Sequence, residues 1–512
     1  MPLVRRLDSP VDTLLRRAAA RAPGRPALTT EQGSWTFGEL DREADRVARW
    51  VHGALRRADA CVALACTLDA VFPALYFGVL RGGRPLALLD PQAGSAAARR
   101  LCEAAGAEIA LVPRALAERL RAERARLPRL HTVVVTDAGP GGEPGGRGPG
   151  AGVLPAAVLA AAGPAPFETP VRDTAAVACI QHLPHPTGGL REVRVSHRNL
   201  LANAAQTALA HRLDGDSVVV NQLRVFRPAL LGAAVHAQAQ QVLVSDPDPY
   251  TGMTVSRGRR ATHYYGLSSR LARLAAGEQP AGRLTDLRAV HCGGGGVLEP
   301  FAARRLERAL RVPVLQDHGI GELGALSHVQ ERGARPERGA VGVPLPGTEC
   351  RVVDFGTRAP APVFGEGEVE LRGPQIPAGR ADGWLATGDA GYLDLDGRLH
   401  VVRRAGFPFA SGDALVAPGV VEWVLLQDPR VADCTVADVP DPLHGSAVWA
   451  GVVLRGRARR VPGVLAAVTA HANARLGPGE QIRRLDELGT IPRDLAGRTE
   501  RRLLIRQYLT AA

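Results

Sequence analysis

Apolar residues recur at helical spacing from the start of the chain. Over residues 10–25, Val11, Leu14 and Leu15 share one face, which predicts an amphipathic helix. Thr36 and Glu39 form a capping box, and a helix over Glu39–His52 follows, with Leu40, Ala44, Val47, Ala48 and Val51 at helical period. The pattern then changes to short apolar runs. Cys61–Ala65 reads as a buried strand, and helix Asp69–Arg81, strand Pro85–Leu89, helix Gly94–Ala105 and strand Glu108–Val112 come after it. Such alternation predicts a parallel sheet with helices on both faces. Asp137–Gly152 is mostly Gly and Pro and reads as a surface loop rather than a domain boundary, because the sheet pattern resumes at Ala175. A helix over Ser268–Ala275 and a strand over Leu287–His291 lead into four consecutive glycines, Gly293–Gly296. Near the C-terminus, a helix carrying Val420, Val421, Val424 and Leu425 precedes strands Cys434–Val439 and Ala447–Leu454 and a helix over Val464–Leu476.

Length supports more than one domain: 512 residues exceed one ordinary core. Aromatic residues make up only 4%, so Ala, Val and Leu must build the interior. The net charge of +12 raises the question of nucleic acid. The basic residues are scattered among acids, as in Glu118–Arg126, without interleaved aromatics, which argues against it. All 63 basic residues are arginine, a bias that genomic base composition explains. The seven cysteines form no CxxC pair and fit buried thiols in a reducing, cytoplasmic setting. The N-terminus lacks the apolar core of a signal peptide, and no apolar run is long enough to span a membrane.

The densest motif is GWLATGDAGYLDLDGRLHVVRR, Gly383–Arg404. Gly388 and Asp389 precede a strand starting at Tyr392, and Asp394, Asp396 and Gly397 form a hairpin-type turn into Leu399–Val402. This stretch resembles the adenylate-forming superfamily, which contains acyl-CoA synthetases, fatty acyl-AMP ligases and peptide-synthetase adenylation domains; the register holds through Arg404. Ser196, His197, Arg198 and Asn199 also match the family's Ser-His-x-Asn helix start, and His318, Gly319 and Glu322 fall on its Tyr-Gly-x-Thr-Glu motif. The resemblance covers nearly the whole chain. It implies an α/β fold: a large N-terminal body over residues 1–403, with parallel sheets flanked by helices plus a β-rich part, and a small mobile α+β C-terminal domain over residues 404–512.

The same resemblance implies a site. Asp389 would hold the ribose hydroxyls of ATP, since one carboxylate accepts two hydrogen bonds from a vicinal diol. Arg404 would contact ribose or phosphate. Thr187, Gly188 and Arg191 fall on the phosphate loop, where Arg191 takes the place of the usual lysine and His185 and Pro184 replace small residues. Gly294 and Gly295 fall on the turn that packs on adenine, where the lack of a Cβ allows close approach. His318 and Gly319 replace and keep, respectively, the aromatic-glycine pair, and Gly321 lacks the family's hydroxyl. Glu322 would help hold Mg²⁺, a hard cation. Arg498 takes the position of the C-terminal lysine that stabilises charge during adenylation. Phe226 lies near the family's acyl-pocket aromatic and also reads as plain core.

Two functions stay open. One is an ATP-dependent, AMP-forming carboxylic acid–thiol ligase with Mg²⁺, a small-molecule acid, and coenzyme A or the phosphopantetheine of an acyl carrier protein as acceptor. The other is a homologue that no longer adenylates and serves as a scaffold or an acyl-binding or transfer protein. The altered phosphate loop, Gly321, the short segment before Gly383, the hinge Ala405–Phe409 and Arg498 speak for the second.

Overall fold

The structure is a computed structural model. It describes residues 9–512 apart from 56, 58, 92–94, 138–152, 156–158, 160–162, 164, 185–189, 278–283, 294–297, 321–324, 331–338, 355–356, 378–381, 405–408, 412–413, 417, 442–444, 457, 477–479, 494–503 and 505–512. The loop expected over Asp137–Gly152 therefore lies almost wholly outside the described residues.

The early apolar runs pair as parallel strands. Cys61–Ala65 sits between Leu86–Leu89 and Ala107–Val112, and Thr132–Val135 and Val153–Pro155 extend the sheet on one side. On the other side, Val177–Pro184 joins Leu86–Leu89 in parallel and turns back as an antiparallel hairpin with Leu190–Ser196. This completes seven strands. A second sheet of nine strands has a parallel interior: Val314–Ile320, Ala289–Gly293, His263–Gly266, Val218–Asn221, Gln240–Leu243 and Pro26–Thr30, in that order. Antiparallel strands close both of its edges. The body is thus built on two sheets. Glu349–Val353, Gly367–Arg372, Leu385–Leu393 and Leu399–Arg404 form a four-stranded antiparallel sheet. In the C-terminal region, Val431–Asp441, Gly445–Leu454 and Ile482–Glu487 form another of three strands.

Element boundaries shift where caps act. The Thr36 hydroxyl accepts the Glu39 N–H at 3.2 Å and the Glu39 carboxylate accepts the Thr36 N–H at 2.8 Å, so the helix begins at Phe37 and runs to Ala54. Asp69 accepts from the N–H groups of Val71 and Phe72, which puts it outside the helix Val71–Arg81 that it was expected to open. The first helix is Thr13–Arg21, and the last long one is Val464–Asn473. At the latter's end, the Asn473 side chain accepts from Ile482 N–H and donates to the Ile482 carbonyl.

Three helices, Thr13–Arg21, Phe37–Ala54 and Val71–Arg81, share a buried charge network. Arg81, fully buried, donates to Asp45 at 2.7 Å and to Asp41 at 2.5 Å, and Arg16 reaches the same two carboxylates at 2.7 Å each. A buried cation is tolerated because its charge is matched and hydrogen-bonded. The C-terminal region packs through Val421, Val424 and Leu425 of helix Pro418–Leu426 into the apolar cluster that holds Leu271 and Leu306. Arg224, held by Asp90 at 2.9 and 2.6 Å, also donates to the Arg493 carbonyl at 2.8 Å. Among the described residues, no helix is long and apolar enough to cross a membrane.

The seven cysteines are all free, and six are buried. Burial pushes the Cys102 and Cys179 thiols up to about 12, which keeps them protonated and unreactive.

Candidate functional site

The Gly383–Arg404 motif folds as a hairpin with the expected turn. Its first strand is Leu385–Leu393, so Gly388 and Asp389 lie inside it rather than before a strand starting at Tyr392, because the ladder with Leu399–Arg404 extends back to Asp389 and that with Gly367–Arg372 to Leu385. Asp394 accepts the N–H groups of Asp396 and Arg398, and Gly397 takes φ +73°. In the ladder of this hairpin, Asp389 stands opposite Arg404. The Asp389 N–H donates to the Thr387 hydroxyl at 3.1 Å, which itself donates to the Val369 carbonyl at 2.8 Å. These contacts fix the backbone that carries a 4% exposed carboxylate.

His318 comes to this carboxylate from the nine-stranded sheet. Its Nε2 lies 3.2 Å from Asp389 Oδ2. The Val314–Ile320 strand pairs antiparallel with Ala325–Val329, which sets His318 opposite His328, and the Ser327 hydroxyl donates to the His318 carbonyl. Of the residues singled out from the sequence, the structure thus brings together His318 and Asp389, with Gly319 next in the strand and Arg404 opposite in the ladder. Arg191 lies in Leu190–Ser196, opposite Leu183, although the sequence reads as a loop there. The ladder with Val177–Pro184 continues to Pro184 and Leu190, and its backbone pairing holds Arg191 in the strand. Thr187, Gly188, Gly294, Gly295, Glu322 and Arg498 lie outside the described residues. Phe226 is core: it is 1% exposed and stacks on Phe72 with ring centroids 5.3 Å apart.

Sequence reasoning placed Ser196 and Asn199 at a helix start but missed the contacts that rivet the site's parts. Ser196 and Asn199 make a capping box at the start of helix His197–Ala210. Asn199 also donates to the carbonyl of Pro374 at 2.8 Å. Asn203 exchanges two hydrogen bonds with Leu326, at 2.8 and 3.1 Å, and Gln206 donates to the Pro346 carbonyl at 2.7 Å. One face of this helix therefore ties the nine-stranded sheet to the segment before Glu349–Val353 and the segment after Gly367–Arg372. The signal was present: three amide side chains at i, i+4 and i+7 on an otherwise apolar helix. Gln316 is the other such residue. It accepts from Leu298 N–H at 2.9 Å and donates to the Cys292 carbonyl at 3.1 Å, clasping both ends of the glycine run.

Burial governs the nearby imidazoles. Desolvation, with His318 adding to it, pushes His328 well below the usual histidine range, so it is neutral. His197, at the helix start, is lowered to about 3 by burial and by Arg172.

Comparison with known proteins bears on the family and the fold. The family model described as AMP-binding enzyme matches residues 15–379, and that of the AMP-binding enzyme C-terminal domain matches residues 420–497. A long-chain-fatty-acid–CoA ligase of Bacillus subtilis (strain 168) is 24% identical over 350 residues, covering 65% of this chain and 62% of that protein. A feruloyl-CoA synthase of an Amycolatopsis species is 29% identical over 329 residues, covering 60% of this chain and 66% of that protein. Both alignments span less than two thirds of the relatives' lengths. Among solved structures, the anthranilate CoA ligase AuaEII in complex with anthranoyl-AMP superposes with TM-score 0.79 at 19% identity, over 99% of this chain and 98% of that one. At that identity the likeness shows the fold: the mixed α/β body and β-containing C-terminal region are those of adenylate-forming enzymes.

Proposed function

The chain belongs to the family of AMP-binding enzymes, and from that premise we propose that it is an adenylate-forming acid–thiol ligase. A carboxylate oxygen of the acid attacks the α-phosphorus of ATP, the bond to the β-phosphate oxygen breaks, and pyrophosphate leaves. A thiol sulfur then attacks the acyl carbon and AMP departs with the bonding electrons. The thiol belongs to coenzyme A or to a phosphopantetheine carrier protein. The chemistry converts a poor electrophile into one with a good leaving group.

The observation that carries this reading is the His318–Asp389 pair, 3.2 Å apart, brought from two sheets to one point. In our assignment, Asp389 holds the ribose diol, His318 covers the adenine, Gly319 allows the base to approach, and Arg404 steadies the ribose or a phosphate. Thr187, Gly188 and Arg191 serve the phosphates, Gly294 and Gly295 the adenine edge, and Arg498 the charge on the α-phosphate. Glu322 is the assigned ligand of Mg²⁺, which when bound neutralises phosphate charge. We assign residues 1–403 to the substrate-holding body and 404–512 to the moving cap.

A second reading is a homologue that binds without adenylating. Pro184 favours it, since it sits in the ladder at the base of the phosphate loop, where it offers no N–H. Both readings are tested by calorimetric titration of Mg·ATP followed by pyrophosphate release over a panel of fatty, aryl and amino acids. Acid-dependent release establishes the ligase. ATP binding without release by any acid favours the second reading, and no binding at millimolar ATP removes the first.

A further inference from the structure

Behind the strand that presents His318 lies a cluster the proposed reaction does not use. His211 is the C-cap residue of helix His197–Ala210, His291 sits in Ala289–Gly293, and Asp317 sits in Val314–Ile320. In the ladder Leu315 stands opposite His291, so Asp317, two residues on, shares its face. Asp317 Oδ2 lies 3.4 Å from His211 Nε2 and 3.5 Å from His291 Nδ1. One ligand atom from each of the three residues falls within 4.8 Å of the others.

We propose that His211, His291 and Asp317 form a buried binding site for one divalent transition-metal ion of the zinc class. The two spacings to Asp317 fit: bonds of roughly 2.0–2.1 Å in tetrahedral geometry hold ligand atoms about 3.3–3.4 Å apart. The donor set fits too, since two imidazoles and one carboxylate suit zinc, cobalt or nickel better than Mg²⁺ or Ca²⁺. His211 is already oriented for it. Its Nδ1 lies 2.7 Å from the Tyr265 hydroxyl, which leaves Nε2 toward the carboxylate, the arrangement by which outer hydrogen bonds fix a ligating imidazole.

The charge pattern points the same way. Asp317 is 5% exposed, and a buried carboxylate needs a positive partner. Several other buried acids of this arginine-rich chain take arginines: Asp41 and Asp45 take Arg81, and Glu370 takes Arg351 and Arg358. Among the described residues, Asp317 pairs with no arginine. Its Oδ1 and the His211 Nε2 are buried and make no hydrogen bond there. An ion bound here would pin the helix end and two strands together directly behind His318, as a structural element rather than a reactive one.

The test uses the full-length chain, stripped with a chelator and titrated with Co²⁺ alone. The expected result is one equivalent bound, with the visible absorption of a low-symmetry, imidazole-ligated Co²⁺, and a midpoint of thermal unfolding that rises with added Zn²⁺. His211→Gln and Asp317→Asn should abolish both. Tyr265→Phe, which keeps the ring and the fold, should weaken the metal roughly 10–100-fold. A wild-type chain that takes up no Co²⁺ and whose unfolding ignores Zn²⁺ overturns the proposal. So does a bound ion whose affinity is unchanged in both His211→Gln and Tyr265→Phe. Neither readout depends on adenylation, so this site and the proposed reaction fail or stand separately.

Discussion

Along the seven-stranded sheet, Cys61–Ala65 and Leu86–Leu89 bury every residue they have, and none carries a charge or an amide. The parallel interior of the nine-stranded sheet has the same architecture and a different filling. Asn221, Gln241, His263, His291 and Asp317 are all buried within it. The central strands of the first sheet are a packing device, and its buried Gln181 lies on Val177–Pro184, near one edge. The second buries polar groups that must each find a partner, and it does so on the strands that lead to His318. Such groups cost stability unless satisfied, so their concentration in one sheet marks where the molecule gives up simple packing for chemistry.

Mutations that separate the two sheets sharpen this contrast. The largest effect is expected in the apolar one. Leu64→Ala, at a 1% exposed position, should cost about 2–5 kcal/mol in denaturant unfolding, the same at pH 5 and pH 7. A pH-dependent loss there would break the comparison. Next comes the site at the edge of the polar sheet. Asp389→Asn removes the charge from a nucleoside contact worth about 1.5–3 kcal/mol, so Mg·ATP affinity should fall roughly tenfold to a hundredfold in calorimetry. Unchanged affinity would sink the assignment of Asp389.

The third effect is pH dependence. His328 is held neutral by burial, with a folded pKa below its unfolded one. Its contribution is complete above the unfolded pKa and is lost as pH falls below about 6.5, because the unfolded chain then takes up the proton. Between pH 6.5 and pH 5, the wild type should lose about 1–2 kcal/mol more than His328→Gln, measured by urea unfolding at each pH. Parallel losses in the two proteins would refute it. The smallest effect is local: Thr36→Ala removes a helix cap and should cost about 1 kcal/mol, with no effect on nucleotide binding.

Much of this was readable from the chain. Cys61–Ala65 is a strand with the expected ends, because a five-residue apolar run has few other uses. The Thr36–Glu39 box and the Asp394–Gly397 turn are set by side chains a few residues apart. The Gly383–Arg404 motif carried the family. Caps moved several helix starts by about two residues, since a capping side chain lies outside the helix it begins.

The tertiary structure decided what local sequence cannot reach. The parallel alternation was visible, but its division into two sheets, with Pro26–Thr30 beside Gln240–Leu243, depends on packing between distant segments. The meeting of His318 with Asp389, the amide rivets of Asn203 and Gln206, and the cluster of His211, His291 and Asp317 belong to this class. Each residue alone is an ordinary polar side chain. Only the chain's return to the same place, driven by burial of apolar surface elsewhere, sets their atoms a few ångströms apart.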